Sequence, residues 1–237
     1  MKIICFGDSI TRGVSYVNGR LRILKKNYPT VLQKLVTGNS EAEVVNKGVF
    51  NDTSDLLVQR LGKDVLAEKP NCAIIGVGGN DCNFKWDEVA QHPEKEHDAI
   101  VPIDRYLDNI KKMSKILKQA GITPVILTLP PLDPVRYYQF ISDKYGTAIS
   151  HWISTRGGIE HWHSLYNRSL KKWLGQSEIP HIDVRTSLKK AGDLCELISE
   201  DGIHLTEEGY KAMGKIIYEE LNRLGLTAGR KGSILAP

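Results

Sequence analysis

The chain is poor in the features that mark several large protein classes. Only four of its 237 residues are cysteine. None forms a CxxC pair or sits at metal-ligand spacing, which argues against a disulfide scaffold or a structural zinc site. No apolar run approaches the length of a membrane span, so stable membrane insertion is not expected. Neither GxGxxG nor a Walker sequence is present, and dinucleotide and nucleotide readings therefore lack their phosphate loops. There is no low-complexity tract. Charge of neither sign dominates: 32 Lys and Arg face 28 Asp and Glu, a formal +4 that is spread thinly. Nucleic acid is not implied. The nearest basic cluster, Arg20, Arg22, Lys25 and Lys26, reads as a solvated turn-and-helix face. The opening residues read as a strand, no signal peptide is visible, and the thiols are left unpaired, so the expectation is a cytoplasmic protein. Cys5 and Cys72 lie inside apolar runs and read as buried small hydrophobes. Cys82 as a catalytic thiol is the weaker reading.

Short apolar runs alternate with helical patterns. The strand candidates are Lys2–Phe6, Glu43–Asn46, Cys72–Val77, Thr123–Leu129 and His181–Val184, each flanked by Gly, Pro or Asn. Helical spacing is found over Tyr28–Leu35, Thr53–Ala67, Ile103–Ala120, Glu160–Leu174 and Thr206–Leu224, with Thr206 as a cap and Gly121 as a stop. Strict alternation with nearly all-apolar strands predicts a parallel sheet covered on both faces. The expected fold is a flavodoxin-like three-layer α/β/α sandwich with a central five-stranded parallel sheet. Length favours a single domain, placed at 1–225, with residues 226–237, including Arg230 and Lys231, as a C-terminal tail. Two segments exceed the minimal alternation, 82–102 and 131–159, and both are rich in aromatics. Leaving from the C-terminal ends of strands, they either wall a substrate pocket or form a satellite core.

Those same strand ends collect the reactive residues. After the first strand comes Gly7-Asp8-Ser9, after the second Asn51-Asp52-Thr53-Ser54, after the third Gly78-Gly79-Asn80-Asp81. Just before the last helix stands Asp201-Gly202-Ile203-His204. In a parallel sheet the first three converge on one rim. Ser9 is a weak nucleophile until a base takes its proton, and His204 is the natural base. Asp201 is placed to fix the tautomer of His204 and stabilise its cation, with Asp183 as the rival carboxylate. The Ser9 N–H, an N–H of the 48–51 turn and the Asn80 amide are candidate oxyanion donors. Asp8 and Asp81 read as loop organisers. His161 and His163, two apart on a helix, point to different faces and lack a third ligand, so no metal and no cofactor is expected.

Gly7-Asp8-Ser9-Ile10, Gly78-Gly79-Asn80-Asp81 and Asp201-Gly202-Ile203-His204 resemble three blocks of the SGNH hydrolases, also called the GDSL esterase/lipase family. The segment from Val45-Asn46 to Thr53-Ser54 resembles the remaining block. The resemblance implies a Ser9–His204–Asp201 acyl hydrolase acting on a small-molecule ester, with an oxyanion hole from Ser9, Asn51 and Asn80. The family pattern carries Leu where this chain has Ile10, a mild change. It carries Gly where this chain has Asn51; the backbone N–H survives, and the Asn51 side chain is expected to crowd or hydrogen-bond the acyl group. Gly48 ranks below Asn51 as donor. Short acyl or acetyl esters, some on carbohydrate, suit such a site. Transfer of the acyl group to an alcohol or sugar uses the same residues. A catalytically silent binding module is the alternative from another class. Nothing in the sequence fixes the oligomeric state.

Overall fold

The computed structural model describes residues 1–37 and 42–227; the expected tail falls outside these residues beyond 227. In chain order the elements begin with β1 (Lys2–Gly7), α1 (Ser9–Arg12), a hairpin of β2 (Val14–Val17) and β3 (Arg20–Ile23), and α2 (Tyr28–Thr37). Next come β4 (Glu43–Gly48), α3 (Ser54–Asp64), β5 (Cys72–Gly76), α4 (Trp86–Gln91), α5 (Ile103–Gln119) and β6 (Thr123–Leu127). The remainder is α6 (Pro134–Tyr145), α7 (Ile149–Thr155), α8 (Ile159–Leu174), β7 (His181–Ile182), α9 (Val184–Ala191), α10 (Leu194–Leu197) and α11 (Glu207–Arg223).

The main sheet runs β4-β1-β5-β6-β7, with every pairing parallel. This is the expected doubly wound three-layer architecture. β1 shows why both faces are covered. Ile4 and Phe6 point into a core shared with α3, α5 and α8, while Ile3 and Cys5 point into a second core with α2, α9 and α11. Successive strand side chains alternate faces, so a wholly apolar strand needs a helical layer on each side.

Three strands end level on glycine. Gly7 pairs with Gly48 on one side and Gly76 on the other. The chain turns back over this rim at once, and a Cβ on Gly48 would lie 2.1 Å from the Arg12 backbone nitrogen. Only glycine lets α1 approach the sheet end this closely. That approach sets the position of Ser9.

One expectation needs correction. The basic cluster at 20–26 lies partly on the β2–β3 hairpin: Arg20 and Arg22 belong to β3. Asn18 and Gly19 both take positive φ, 52° and 72°, the geometry of a tight two-residue hairpin turn. Of the long segments, 131–159 is largely helical, holding α6 and α7, whereas 82–102 holds only the short α4. Their aromatics do both things considered: Phe84 packs edge-on against Trp86, Trp152 and Trp162, while Tyr137 borders a cavity.

Candidate functional site

α1 starts immediately after β1, with Asp8 as its N-cap accepting the Ile10 N–H at 2.9 Å. This places Ser9 at the first helical position, buried at the sheet rim, with its own N–H unclaimed by any acceptor among the described residues. From the far end of the chain, the 199–205 segment folds over the same rim. It is closed by an Ile198–Leu205 bridge and by the Ser199 N–H donating to the His204 carbonyl. Gly202 sits at φ +77°, where any side chain would meet the backbone of Asp133 and Tyr137 in α6.

The two segments meet in a hydrogen-bonded line. His204 Nε2 lies 2.9 Å from Ser9 Oγ, and His204 Nδ1 lies 2.6 Å from Asp201 Oδ2. The second carboxylate oxygen of Asp201 accepts the Ser199 hydroxyl and the N–H groups of Ile203 and His204. Burial alone would raise the Asp201 carboxyl; the bonds from His204 outweigh it and hold it below the ordinary value. The Phe50 ring stacks on the imidazole at 6.5 Å between centroids. Asp183 is elsewhere. It caps α9 through the Thr186 N–H and pairs with Lys171 at 2.6 Å, so it is not the partner of His204.

Of the expected donors, Asn80 lines the same cavity as Ser9. Asn80 gives one amide hydrogen to the Asp52 carbonyl at 2.8 Å and keeps a second. Asn51 takes φ +62°, the left-handed region open to Gly and tolerated by Asn, and its N–H has no acceptor among the described residues. The Gly48 N–H is already given to Asn46 Oδ1 at 2.8 Å, which explains why Gly48 is not available. Asn51 is exposed and does not line the cavity beside Ser9. That cavity, of about 80 Å³, is lined by Ser9, Asn80 and His204 together with Leu129, Trp162 and His163.

Sequence reasoning missed Arg60. Its guanidinium reaches Asp52 at 2.6 Å, Asp64 at 2.8 Å and the Gly7 carbonyl at 2.9 Å, lying over the Phe6 ring. It therefore ties the Asn51–Asp52 turn to the backbone just before Ser9. Asp81, as expected of a loop organiser, accepts the Ser54 N–H and pins the start of α3. Burial pushes the Asp81 carboxyl up to about 6 and the Asp8 carboxyl up to about 7. Burial also pushes the Cys82 thiol up, and the thiol donates to the Gly79 carbonyl, which sets it aside as a nucleophile. His161 is exposed and His163 buried, on different faces of α8. Among the described residues no cluster of three His, Cys, Asp or Glu could hold a metal.

A family model described as the GDSL-like Lipase/Acylhydrolase family matches residues 5–212. The chain belongs to this family. As a GDSL-like lipase/acylhydrolase it is an ester-hydrolysing enzyme. It is 25% identical over 228 residues to an uncharacterized lipoprotein, YqeF, of Bacillus subtilis, covering 92% of this chain and 86% of that one. To the isoamyl acetate-hydrolyzing esterase of Saccharomyces cerevisiae it is 22% identical, covering 93% and 84%. The crystal structure of the lipase/acylhydrolase from Enterococcus faecalis superposes with a TM-score of 0.64 at 21% identity, covering 94% and 96%, and shares this GDSL fold. No described helix of this GDSL-like hydrolase is long and apolar enough to cross a membrane.

Proposed function

We propose that the chain is a serine esterase for short-chain acyl esters, acetates among them, working through an acyl-enzyme. The observation that carries this reading is the continuous Ser9–His204–Asp201 line at 2.9 and 2.6 Å. Ser9 Oγ attacks the ester carbonyl as His204 Nε2 takes its proton, and Asp201 balances the cation formed. The developing oxyanion is received by the N–H groups of Ser9 and Asn51 and the free amide hydrogen of Asn80. His204 then gives its proton to the departing alcohol, and a water repeats the cycle to release the acid.

The size of the cavity supports a small acyl group. Its volume of about 80 Å³ holds several waters at the roughly 10–15 Å³ of cavity space that one water needs, room for a short acyl chain. The name of the yeast relative points the same way, toward an acetate ester. The test is a fluorophosphonate probe followed by peptide mapping, alongside p-nitrophenyl esters of rising chain length. Label on Ser9 and best turnover with the shortest acyl groups are expected; an unlabelled Ser9 would overturn the reading.

Asn80→Ala probes the oxyanion role. The variant should lose about 10²- to 10³-fold in kcat with little change in KM. A loss confined to KM would count against Asn80 as an oxyanion donor. Because Asn80 also holds the Asp52 carbonyl, the melting temperature is recorded beside the rates.

A further inference from the structure

The wall of the cavity beside Ser9 contains a buried donor that the proposed chemistry does not use. α8 buries Ile159, Trp162, His163, Tyr166, Asn167 and Leu170 along one face, and His163 is the histidine of that stripe, only 6% exposed. Its Nδ1 lies 2.9 Å from an Arg185 guanidinium nitrogen. Arginine only donates, so Nδ1 is the acceptor and the ring proton sits on Nε2. Arg185 is itself locked by the Pro130 carbonyl, Glu160 and Ser164, which keeps the tautomer fixed. Burial, helped by the Arg185 charge, pushes the imidazole down to about 3, so it stays neutral.

His163 lines the cavity and Arg185 does not; with Nδ1 held by Arg185, Nε2–H is the polar group of the ring left for an occupant. No acceptor among the described residues takes that proton. Several other donors of the same lining are committed, although the Trp162 indole N–H, like that of His163, has no acceptor among the described residues. Tyr137 donates to Asn83 Oδ1, Thr128 to Asp183 and Cys82 to the Gly79 carbonyl. Asn83 adds a second donor of the same kind. Its Oδ1 accepts from Phe84, Trp86 and Tyr137, which fixes the amide, and its amide hydrogens have no acceptor among the described residues. A donor-rich, otherwise apolar wall leaves polar hydrogens unpaired unless the occupant brings an acceptor.

We propose that His163 determines specificity: its Nε2–H, left for an occupant of the cavity beside Ser9, donates to an oxygen acceptor carried on a short arm of the ester. The arm is an ether, carbonyl or hydroxyl oxygen placed a few atoms from the scissile carbonyl, on either the acyl or the alcohol part. The inference rests on the esterase reading above, and the experiment separates the two. Two isosteric pairs are compared: p-nitrophenyl 3-methoxypropionate against the valerate for the acyl side, and 2-methoxyethyl acetate against butyl acetate for the alcohol side. The ratio of kcat/KM, oxygenated over hydrocarbon, is taken for wild type, His163→Leu and His163→Gln.

In one pair the ratio is expected to fall about tenfold in His163→Leu, reflecting the lost hydrogen bond. It should largely persist in His163→Gln, whose amide places a donor near the same point. The pair that responds identifies the acyl or the alcohol arm. Unchanged ratios in both pairs would overturn the proposal while leaving the esterase reading intact. Should His163→Leu not fold, wild type alone decides. A wild-type ratio in both pairs no greater than that of uncatalysed hydroxide hydrolysis also overturns it. Absence of turnover on all four esters, with Ser9 unlabelled by fluorophosphonate, would sink the esterase reading instead.

Discussion

Ser9→Ala is expected to lower kcat for an acetate ester by roughly 10⁶-fold, the scale seen when a nucleophile is removed from a serine hydrolase. The backbone around it should hardly notice. The cap of α1 comes from Asp8, and the close seat of α1 on the sheet end comes from Gly48; neither uses the serine hydroxyl. What is lost structurally is one hydrogen bond to His204, about 1 kcal/mol. The donors of the proposed oxyanion hole also remain, so ester binding should persist and KM should move little. The measurement is turnover with thermal unfolding beside it. A Ser9→Ala protein within tenfold of wild type, with its fold intact, would end the nucleophile reading.

The second large effect is expected for Asp201→Asn, at about 10⁴-fold in kcat. The carboxylate accepts the Nδ1 proton of His204 and so leaves the Nε2 lone pair facing Ser9. An amide that instead donates to Nδ1 moves the ring proton to Nε2, and the base is lost. The remaining acceptor oxygen can still take the Ser199, Ile203 and His204 donors, so the loop should keep its shape. Stability should respond to pH in a definite sense. The Asp201 carboxyl is held below its ordinary value in the fold. It therefore contributes stability above the ordinary carboxylate range, and that contribution is lost as pH falls through the folded value. The asparagine variant should lack that acid-side loss. Full activity in Asp201→Asn would show that another group orients His204.

The order of the elements and the rim on which the reactive residues meet were legible because both follow from short-range patterns. Apolar strands with helical spacing between them dictate the parallel sheet. Asp201 and His204 lie close enough in sequence for one closed turn to orient both. Other features were less accessible for stateable reasons. Arg60 looks like any solvated charge on an amphipathic helix, because its key partner, the Gly7 carbonyl, is 53 residues away. The β2–β3 hairpin does carry a local signal, Asn18-Gly19, but the basic residues around it suggest a solvated helix face more readily. His163 is visible in the helical period that it shares with Trp162 and Tyr166. Only the fold shows that this face borders the cavity beside Ser9. The left-handed φ of 62° at Asn51 was not legible from the sequence alone, because it is set by the turn that packs over the sheet rim.

The bond between Ser9 and His204 joins residues 195 positions apart. On the ribosome the strand that carries the nucleophile emerges first and is destined for an interior place in the sheet, between β4 and β5. The turn that carries the base is made 195 residues later. At about 5–20 residues per second, roughly ten to forty seconds separate the two. Through that interval the serine has no base, and the half-built protein has no means of attacking esters around it. The appearance of activity thus marks the closure of the whole sheet and the docking of its last helix.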